Sequence, residues 1–183
     1  MKRKVLAIGL IIVFSLALIS YAGDKPEYVG SSKCKSCHNA DKNGAQFKKW
    51  QNEKHSKAYE DLKSDNAKKK AEAAGVKDPL KDEKCLSCHT TAYGKKNLNA
   101  SYKIEEGVGC EACHGPGSLY KKTTVMKDQK ASIAAGMIIP DEKTCKNCHQ
   151  DKIAGHDGKF TTFDKEYKKI AHPVPPENDR RKK

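Results

Sequence analysis

The sequence predicts a mainly α-helical protein, a single domain in which short helices and loops wrap around bound groups rather than around a large side-chain core. Charged residues make up 32% of the 183 residues and aromatic residues 7%, so little apolar surface is available for burial. Apolar residues recur at helical spacing in several short segments, and no segment alternates as a strand would. Eight cysteines stand in four copies of one short motif at unequal intervals, which excludes a tandem repeat of fixed period.

The first 22 residues are predicted to be a signal peptide. A basic start, Lys2 to Lys4, precedes an apolar run from Val5 to Ile19, and Ser20 to Ala22 places small residues where a signal peptidase cleaves. The run is shorter than the about 20 apolar residues that span a membrane. We therefore expect cleavage after Ala22 and a periplasmic or extracellular protein. If the segment stayed uncleaved, it would hold the protein at the membrane.

Short helices are predicted along residues 23–176, which form one domain before a polar, basic tail at 177–183. The predicted helices are Gln46 to Leu62, Asp65 to Ala74, one that begins at Asp82, Lys127 to Gly136, one that begins at Asp141, and Phe163 to Ala171. Gly75 and Pro173 are typical of positions where a helix stops. Gly107 and Gly115 lie on either side of the third cysteine motif and predict sharp turns there.

All eight cysteines belong to C-x-x-C-H motifs, which we number one to four in chain order: Cys34-Lys35-Ser36-Cys37-His38, Cys85-Leu86-Ser87-Cys88-His89, Cys110-Glu111-Ala112-Cys113-His114 and Cys145-Lys146-Asn147-Cys148-His149. This is the attachment sequence of c-type haem. The two thiols bond to the vinyl groups of the porphyrin, and the adjoining imidazole binds the iron as proximal ligand. The sequence thus predicts short helices and loops wrapped around a cluster of four covalently bound haems, which would supply the missing interior.

Three other uses of paired cysteines explain the pattern less well. Zinc can be held by four thiolates, but such a site has no use for a histidine after every second cysteine. A dithiol redox centre occurs once, within an α/β pattern that this sequence lacks. Four disulfides are compatible with export but leave the histidines unexplained. Haem attachment accounts for all eight cysteines and for the four histidines that follow them.

Three histidines remain for the distal sides of four irons: His55, His156 and His172. His55 is on the apolar face of the first predicted helix, and His172 is at a helix end before a proline. His156 is in a glycine-flanked polar loop, which is more typical of a surface histidine. Met126 and Met137 offer thioether ligands as an alternative. At least one iron therefore lacks a second histidine, and it is five-coordinate or bound by Met, Tyr or water.

The formal net charge of +13 comes from 36 Lys and Arg against 23 Asp and Glu. Most of the lysines are interspersed with acidic residues, as on an ordinary solvated surface. A net basic charge would also attract redox partner proteins with an acidic docking face. Export argues against nucleic acid as a partner.

The chain resembles the tetrahaem cytochrome family typified by cytochrome c-554. Three segments carry the resemblance: Trp50 with His55-Ser56-Lys57-Ala58, the stretch from Glu106 to Gly117 around motif three, and Ile170-Ala171-His172-Pro173. The resemblance implies a mainly helical fold with haems in closely stacked pairs. It also implies that His55 and His172 are distal ligands, with His172 serving the fourth haem.

One departure from that family bears on the iron ligands. Its members often carry a distal histidine shortly after the Gly-Pro-Gly turn, where this chain has Ser118-Leu119-Tyr120. Tyr120, Met126 and His156 are the candidates to replace it. The family's electron donor is not transferable to this chain, because no residue identifies it.

An electron carrier is the leading functional hypothesis, since no catalytic acid, base or nucleophile constellation is evident. Bis-histidine haems exchange electrons and exclude small ligands, whereas an iron without a sixth protein ligand can bind them. One alternative is therefore a reductase of a nitrogen oxide or a similar small molecule at an open haem. Another is a subunit of a conductive filament that self-associates through haem edges.

Overall fold

The computed structural model describes residues 24–150 and 163–172, and these are predominantly helical. Ten α-helices occur in these ranges: α1 Lys35–His38, α2 Gln46–Asn52, α3 Ala58–Asp61, α4 Asp65–Ala73, α5 Glu83–His89, α6 Cys110–His114, α7 Thr123–Met126, α8 Gln129–Ala134, α9 Glu142–Lys146 and α10 Phe163–Ile170. Short 3-10 turns at Ser31–Lys33, Asp41–Asn43, Lys54–Lys57 and Ile104–Glu106 connect them. In these ranges no helix combines the length and apolarity needed to cross a membrane.

Strand structure in the described ranges is limited to one isolated parallel bridge between Tyr28 and Leu98. The predicted mainly α fold class is therefore confirmed. The predicted signal segment, the C-terminal tail and His156 lie outside the described residues, and their assignments stay predictions.

Helix starts follow the capping chemistry that the sequence predicts. The Asp82 side chain accepts from the backbone N–H of Lys84 at the start of α5, which carries motif two. Asp141 forms a reciprocal capping box with Thr144 at the start of α9, which leads into motif four. These caps satisfy N–H groups that the first turn of a helix cannot pair. The predicted helices at Asp65, Gln129 and Phe163 also form, each within one or two residues of its expected bounds.

The prediction of one continuous helix from Gln46 to Leu62 is wrong. The segment divides into α2, the 3-10 turn Lys54–Lys57 and α3, with a break at Glu53, whose backbone is extended at φ −93° and ψ 162°. The predicted apolar face nevertheless packs inward, since Phe47, Ala58 and Leu62 are buried. The break changes the direction of the chain immediately before His55, which a continuous helix would not do.

The side-chain core of the described residues is small. The buried apolar residues are Val29, Phe47, Ala58, Leu62, Ala71, Val76, Leu86 and Tyr120. They are dispersed among elements that bear or adjoin the four motifs. This sparse core agrees with the expectation that the side chains alone do not fill the interior.

Candidate haem-binding sites

Each motif is on or beside a short helix that brings its three functional side chains to one side. The first cysteine, the second cysteine and the histidine are at positions i, i+3 and i+4, which neighbour one another on a helix surface. Motifs two and three are contained within α5 and α6, while Cys34 caps α1 and motif four spans the end of α9. All eight thiols are free of disulfide bonds. The helical turn thus presents two thiols and an imidazole together, as haem attachment requires.

Three of the motif histidines are held in one orientation through the Nδ1 atom. His89 Nδ1 contacts the Ala58 carbonyl oxygen at 2.7 Å, and His114 Nδ1 contacts the Ile138 carbonyl oxygen at 3.1 Å. His38 Nδ1 contacts Gln46 Oε1 at 3.2 Å. Because a carbonyl oxygen only accepts, each Nδ1 carries the proton and each Nε2 keeps its lone pair for a metal. Such contacts fix the tautomer and ring direction of a proximal ligand.

The fourth motif histidine faces His55. The ring centroids of His55 and His149 are 5.8 Å apart, and the ring planes cross at 70°. Metal–nitrogen bonds of about 2 Å on opposite sides of one metal would give two imidazole rings a comparable separation. Burial lowers the pKa of His55, and the neighbouring His149 lowers it further. The neutral imidazole that a metal requires is therefore the favoured form.

His172 is near the third motif histidine and has an unsatisfied ring nitrogen. Its Nδ1 is buried and has no hydrogen-bond partner among residues 24–150 and 163–172. Burial lowers the pKa of His172 to about 4, helped by His114, Lys49 and His38 nearby. A buried polar atom without a partner is costly unless something binds the ring. The site accordingly fits a group that uses this imidazole as a ligand.

These positions differ from the pairing that the family resemblance implies. The resemblance implies that His172 serves the fourth haem, but the histidines that lower its pKa are His114 of motif three and His38 of motif one, and His55 is the residue that faces motif four. The physical reason is the route of the chain. The break at Glu53 turns His55 toward His149, and Lys49 holds the end of α10 through a 2.8 Å hydrogen bond from Nζ to the Ala171 carbonyl oxygen.

The segments that carry the family resemblance contact one another around His55. Trp50 Nε1 donates to the Val108 carbonyl oxygen at 2.9 Å, and the Val108 N–H donates to the His55 carbonyl oxygen at 3.0 Å. At Gly107, with φ of +67°, a Cβ would lie 2.9 Å from that same His55 oxygen. The glycine is therefore required both by its backbone conformation and by the close approach of the two segments.

The structure also places the three candidate iron ligands that are not histidines, which are Tyr120, Met126 and Met137. The hydroxyl of Tyr120, which is 6% exposed, donates to the Gly115 carbonyl oxygen at 2.8 Å, and burial raises its pKa. A neutral phenol committed to a backbone acceptor is a poor iron ligand, so the structure gives Tyr120 a packing role instead. Met126 and Met137 are both partly buried, at the end of α7 and just after α8.

Glu111 is a structural residue that the sequence analysis missed. Its side chain is in motif three, 2% exposed, and accepts backbone N–H groups from Val29 at 2.9 and 3.0 Å, Gly30 at 2.7 Å and Gly117 at 2.6 Å. Burial raises the pKa of Glu111, and these donors oppose the shift. The carboxylate ties the N-terminal segment to motif three. The sequence signal that could have indicated this role is an acidic residue between the glycine turns at Gly107 and Gly115.

The four motifs form a row that follows neither the chain order nor its reverse. The Cys34 thiol is within hydrogen-bonding reach of Cys110, which joins motif one to motif three. The Cys148 thiol has the same relation to Cys88, which joins motif four to motif two. Burial raises the pKa of the Cys113 thiol in motif three, and the nearby Cys145 of motif four raises it further. Through these links the motifs follow the order one, three, four, two, with motifs one and two each joined to one other motif.

A helical fold with little side-chain core, C-x-x-C-H motifs on adjoining helices and oriented imidazoles defines a multihaem c-type cytochrome. The family model described as cytochrome c554 and c-prime matches residues 33–115. Cytochrome c-554 of Nitrosomonas europaea is 33% identical to this chain over 170 residues, which cover 80% of this chain and 68% of that protein. No solved structure matches. The chain belongs to the cytochrome c-554 family, and it is an electron carrier that binds c-type haem.

Proposed function

We propose that the chain is an exported tetrahaem carrier that relays electrons between redox partner proteins along the row of motifs one, three, four and two. The observation that carries the proposal is the proximity of thiols from different motifs, Cys34 with Cys110 and Cys148 with Cys88. Haems attached at such positions are neighbours. A row has two ends, which suits a protein that receives an electron at one place and delivers it at another.

Each site would hold its haem through two thioethers and a proximal imidazole. The attachment residues are Cys34, Cys37, Cys85, Cys88, Cys110, Cys113, Cys145 and Cys148, and the proximal ligands are His38, His89, His114 and His149. We assign His55 as distal ligand at motif four and His172 as distal ligand at motif three, on the contacts described above. When bound, each haem supplies an iron that exchanges one electron between its ferric and ferrous states.

The assignment leaves motifs one and two without a distal histidine among the described residues. His156, outside those residues, is the remaining imidazole in the chain. At most one of the two irons can therefore gain a histidine from the same chain. An iron without a sixth protein ligand is the basis of the reductase alternative, and binding of carbon monoxide to the reduced protein measures how many such irons exist.

The protein's own residues would tune and protect this relay rather than perform chemistry on a substrate. Backbone carbonyls hold the His89 and His114 rings in place, and a hydrogen bond to a proximal imidazole raises its basicity toward the iron. Rigid ligands also reduce the rearrangement that accompanies a change of iron charge. Export to the periplasm, through the signal segment 1–22, would place the protein where its partners are accessible.

Haem content and electron capacity test the proposal. Mature protein from a cell competent in cytochrome maturation should carry four covalent haems by intact mass, and a potentiometric titration should take up four electrons. The matched control is the double variant Cys145→Ala and Cys148→Ala, which should carry three haems and take up three electrons. Absence of a Soret band, or the same haem content in both proteins, would overturn the proposal.

A further inference from the structure

Charge is distributed unequally around the four motifs. The segment from Lys33 to Lys49, around motif one, contains five lysines and one aspartate. The stretch at 77–89, around motif two, has three lysines and three acidic residues, and the stretch at 141–150, around motif four, has two of each. The stretch at 105–117, around motif three, has three glutamates and no basic residue. Of the four motifs, motif one therefore has the most positively charged sequence segment around it.

The lysines beside motif one are available for contacts with another molecule. Lys33, Lys35 and Lys42 are exposed; we call them, together with Cys37, the motif-one surface. Two further lysines of the segment have internal roles: Lys48 pairs with Asp41 at 2.9 Å, and Lys49 donates to the Ala171 carbonyl oxygen at 2.8 Å. At motifs two and four, by contrast, lysines pair with acids of their own segment, Lys81 with Asp78 at 3.0 Å and Lys146 with Glu142 at 2.7 Å.

The nearest acidic groups do not cancel this charge. Glu106 is turned to the backbone and accepts the N–H groups of Ser31 at 2.5 Å and Ser32 at 3.2 Å. Glu111 is buried beneath the N-terminal segment and is fully occupied by backbone donors. Asp41 is paired with Lys48. The ammonium groups at the surface are therefore the charges that an approaching molecule meets first.

Motif one also has the most accessible attachment site. Of the eight motif cysteines, Cys37 is exposed and the other seven are partly buried. A haem held at motif one would be bonded through Cys37 Sγ, so the exposed position of Cys37 would bring the edge of that haem to the protein surface. Motif one is in addition at one end of the row of motifs. Accessibility, end position and positive charge thus coincide at the same site.

We propose that the motif-one surface is the docking face for an acidic one-electron redox protein, and that electrons enter or leave the row there. The inference rests on the proposed relay and adds to it the place and chemistry of one partner. In each encounter one electron would pass between the partner's one-electron group and the iron held at motif one, so that one is oxidised as the other is reduced, and no bond or proton moves. Complementary charge accelerates such encounters and makes them sensitive to salt.

Binding and transfer to an acidic flavodoxin, used as the probe, test the inference. The variant Lys33→Gln, Lys35→Gln and Lys42→Gln is compared with a control of equal net charge, Lys69→Gln, Lys77→Gln and Lys95→Gln, whose three lysines are exposed and lie outside the Lys33–Lys49 segment. Calorimetry at low ionic strength gives the Kd, and stopped-flow mixing with photoreduced flavodoxin gives the rate at several salt concentrations. We expect the motif-one variant to weaken binding about tenfold and to flatten the salt dependence, and the control to change Kd by less than about twofold.

Two further measurements distinguish a failure of the docking inference from a failure of the proposed electron relay. Lys35 Nζ is 5.8 Å from the Phe47 ring centroid, so a variant with Lys35→Arg alone should retain both this contact and binding. Equal weakening by the two triple variants, or no weakening by either, would overturn the docking inference while leaving the relay intact. A protein whose haems do not accept electrons even from dithionite would instead contradict the relay itself.

Discussion

The two histidines assigned as distal ligands are held in different ways. His55 is in the 3-10 turn before α3, and its backbone carbonyl oxygen accepts a hydrogen bond from the Val108 N–H. Three residues later, the carbonyl oxygen of Ala58 contacts Nδ1 of His89. His172 follows the end of α10, where Lys49 donates to the carbonyl oxygen of the preceding residue, Ala171, and its Nδ1 has no partner in the part of the chain that the structure describes. The backbone around His55 is thus held by hydrogen bonds to several elements, whereas His172 is positioned by the single helix α10.

This difference indicates which candidate haem sites depend on the same segment of the chain. The segment His55–Ala58 contains the proposed distal ligand of motif four and, three residues later, the carbonyl oxygen that contacts His89 Nδ1 of motif two. A displacement of this segment would therefore disturb two sites together. A displacement of α10 would act on His172 and, through it, on motif three. The first region should behave as a cooperative unit and the second as a local attachment.

Removal of the two distal imidazoles should produce the largest effect. His55→Gly and His172→Gly are each expected to convert one low-spin ferric iron to high spin, because each deletes one axial ligand. Low-temperature electron paramagnetic resonance counts the irons of each kind. Added imidazole should restore the low-spin signal.

The double variant decides whether the two histidines serve different irons. If they do, the number of low-spin irons should fall by two, as the pairing of His55 with His149 and of His172 with His114 requires. A fall by one would mean that the two variants affect the same iron, and the assignment would be wrong. A preserved low-spin count in either single variant would exclude that histidine as a ligand.

Gly107→Ala should cause the next largest effect, through the backbone of the His55 region. The new Cβ would approach the His55 carbonyl oxygen to 2.9 Å, and the residue would also keep a φ of +67°. We expect a loss of about 2–4 kcal/mol in the free energy of unfolding, from the strained conformation and the displaced segment. Because His55 and Ala58 lie in one segment, the spectra of two haems should change.

Gly94→Ala is the matched control for that substitution. Gly94 has a similar φ of +72°, but nothing lies within 4 Å of an added Cβ. Conformational strain alone should cost about 1 kcal/mol there. Denaturant unfolding of both variants separates the clash from the strain, and equal losses would show that the approach to His55 has no energetic consequence.

Trp50→Phe should have a moderate effect on the same region. The substitution keeps an aromatic ring but removes the donor to the Val108 carbonyl oxygen, so about 1–2 kcal/mol of unfolding free energy should be lost. The low-spin signal assigned to motif four should shift, since Val108 in turn holds His55. Phe47→Leu, a change to a buried neighbour whose ring contributes no hydrogen bond, serves as a control for packing alone. A Trp50 variant with unchanged spectra would remove Trp50 from the support of His55.

The fold class and the short helices that carry the motifs follow from the sequence because both depend on local patterns, while the attachment residues stay a prediction. Each C-x-x-C-H motif is contained in five residues, and caps such as Asp82 and Asp141 act on the next turn of the same helix. The break at Glu53 was not predictable from the apolar spacing, which continues through it. Tertiary contacts of Trp50 and Val108 stabilise the broken form over the continuous helix.

The pairing of sites could not be predicted, because it depends on contacts between residues distant in sequence. Cys34 lies close to Cys110, and the His55 ring lies close to the His149 ring, although both pairs are far apart in sequence. The role of Glu111 likewise arises from backbone groups of Val29 and Gly30, more than 80 residues away. A count of histidines predicts that four irons would share too few imidazoles, and the fold adds which motif histidine each of His55 and His172 lies near.

Lys49→Met should have the smallest effect, confined to the α10 region. The substitution keeps the length of the side chain but removes the donor to the Ala171 carbonyl oxygen, so we expect a loss of about 1 kcal/mol or less. The adjacent Lys48→Met is the matched control, because the Lys48 side chain is 49% exposed and its ion pair with Asp41 is at the surface. Lys49→Met should broaden the low-spin signal from motif three and leave that from motif four unchanged. If both signals changed together, α10 would be part of the cooperative unit around His55, and the contrast between the two regions would fail.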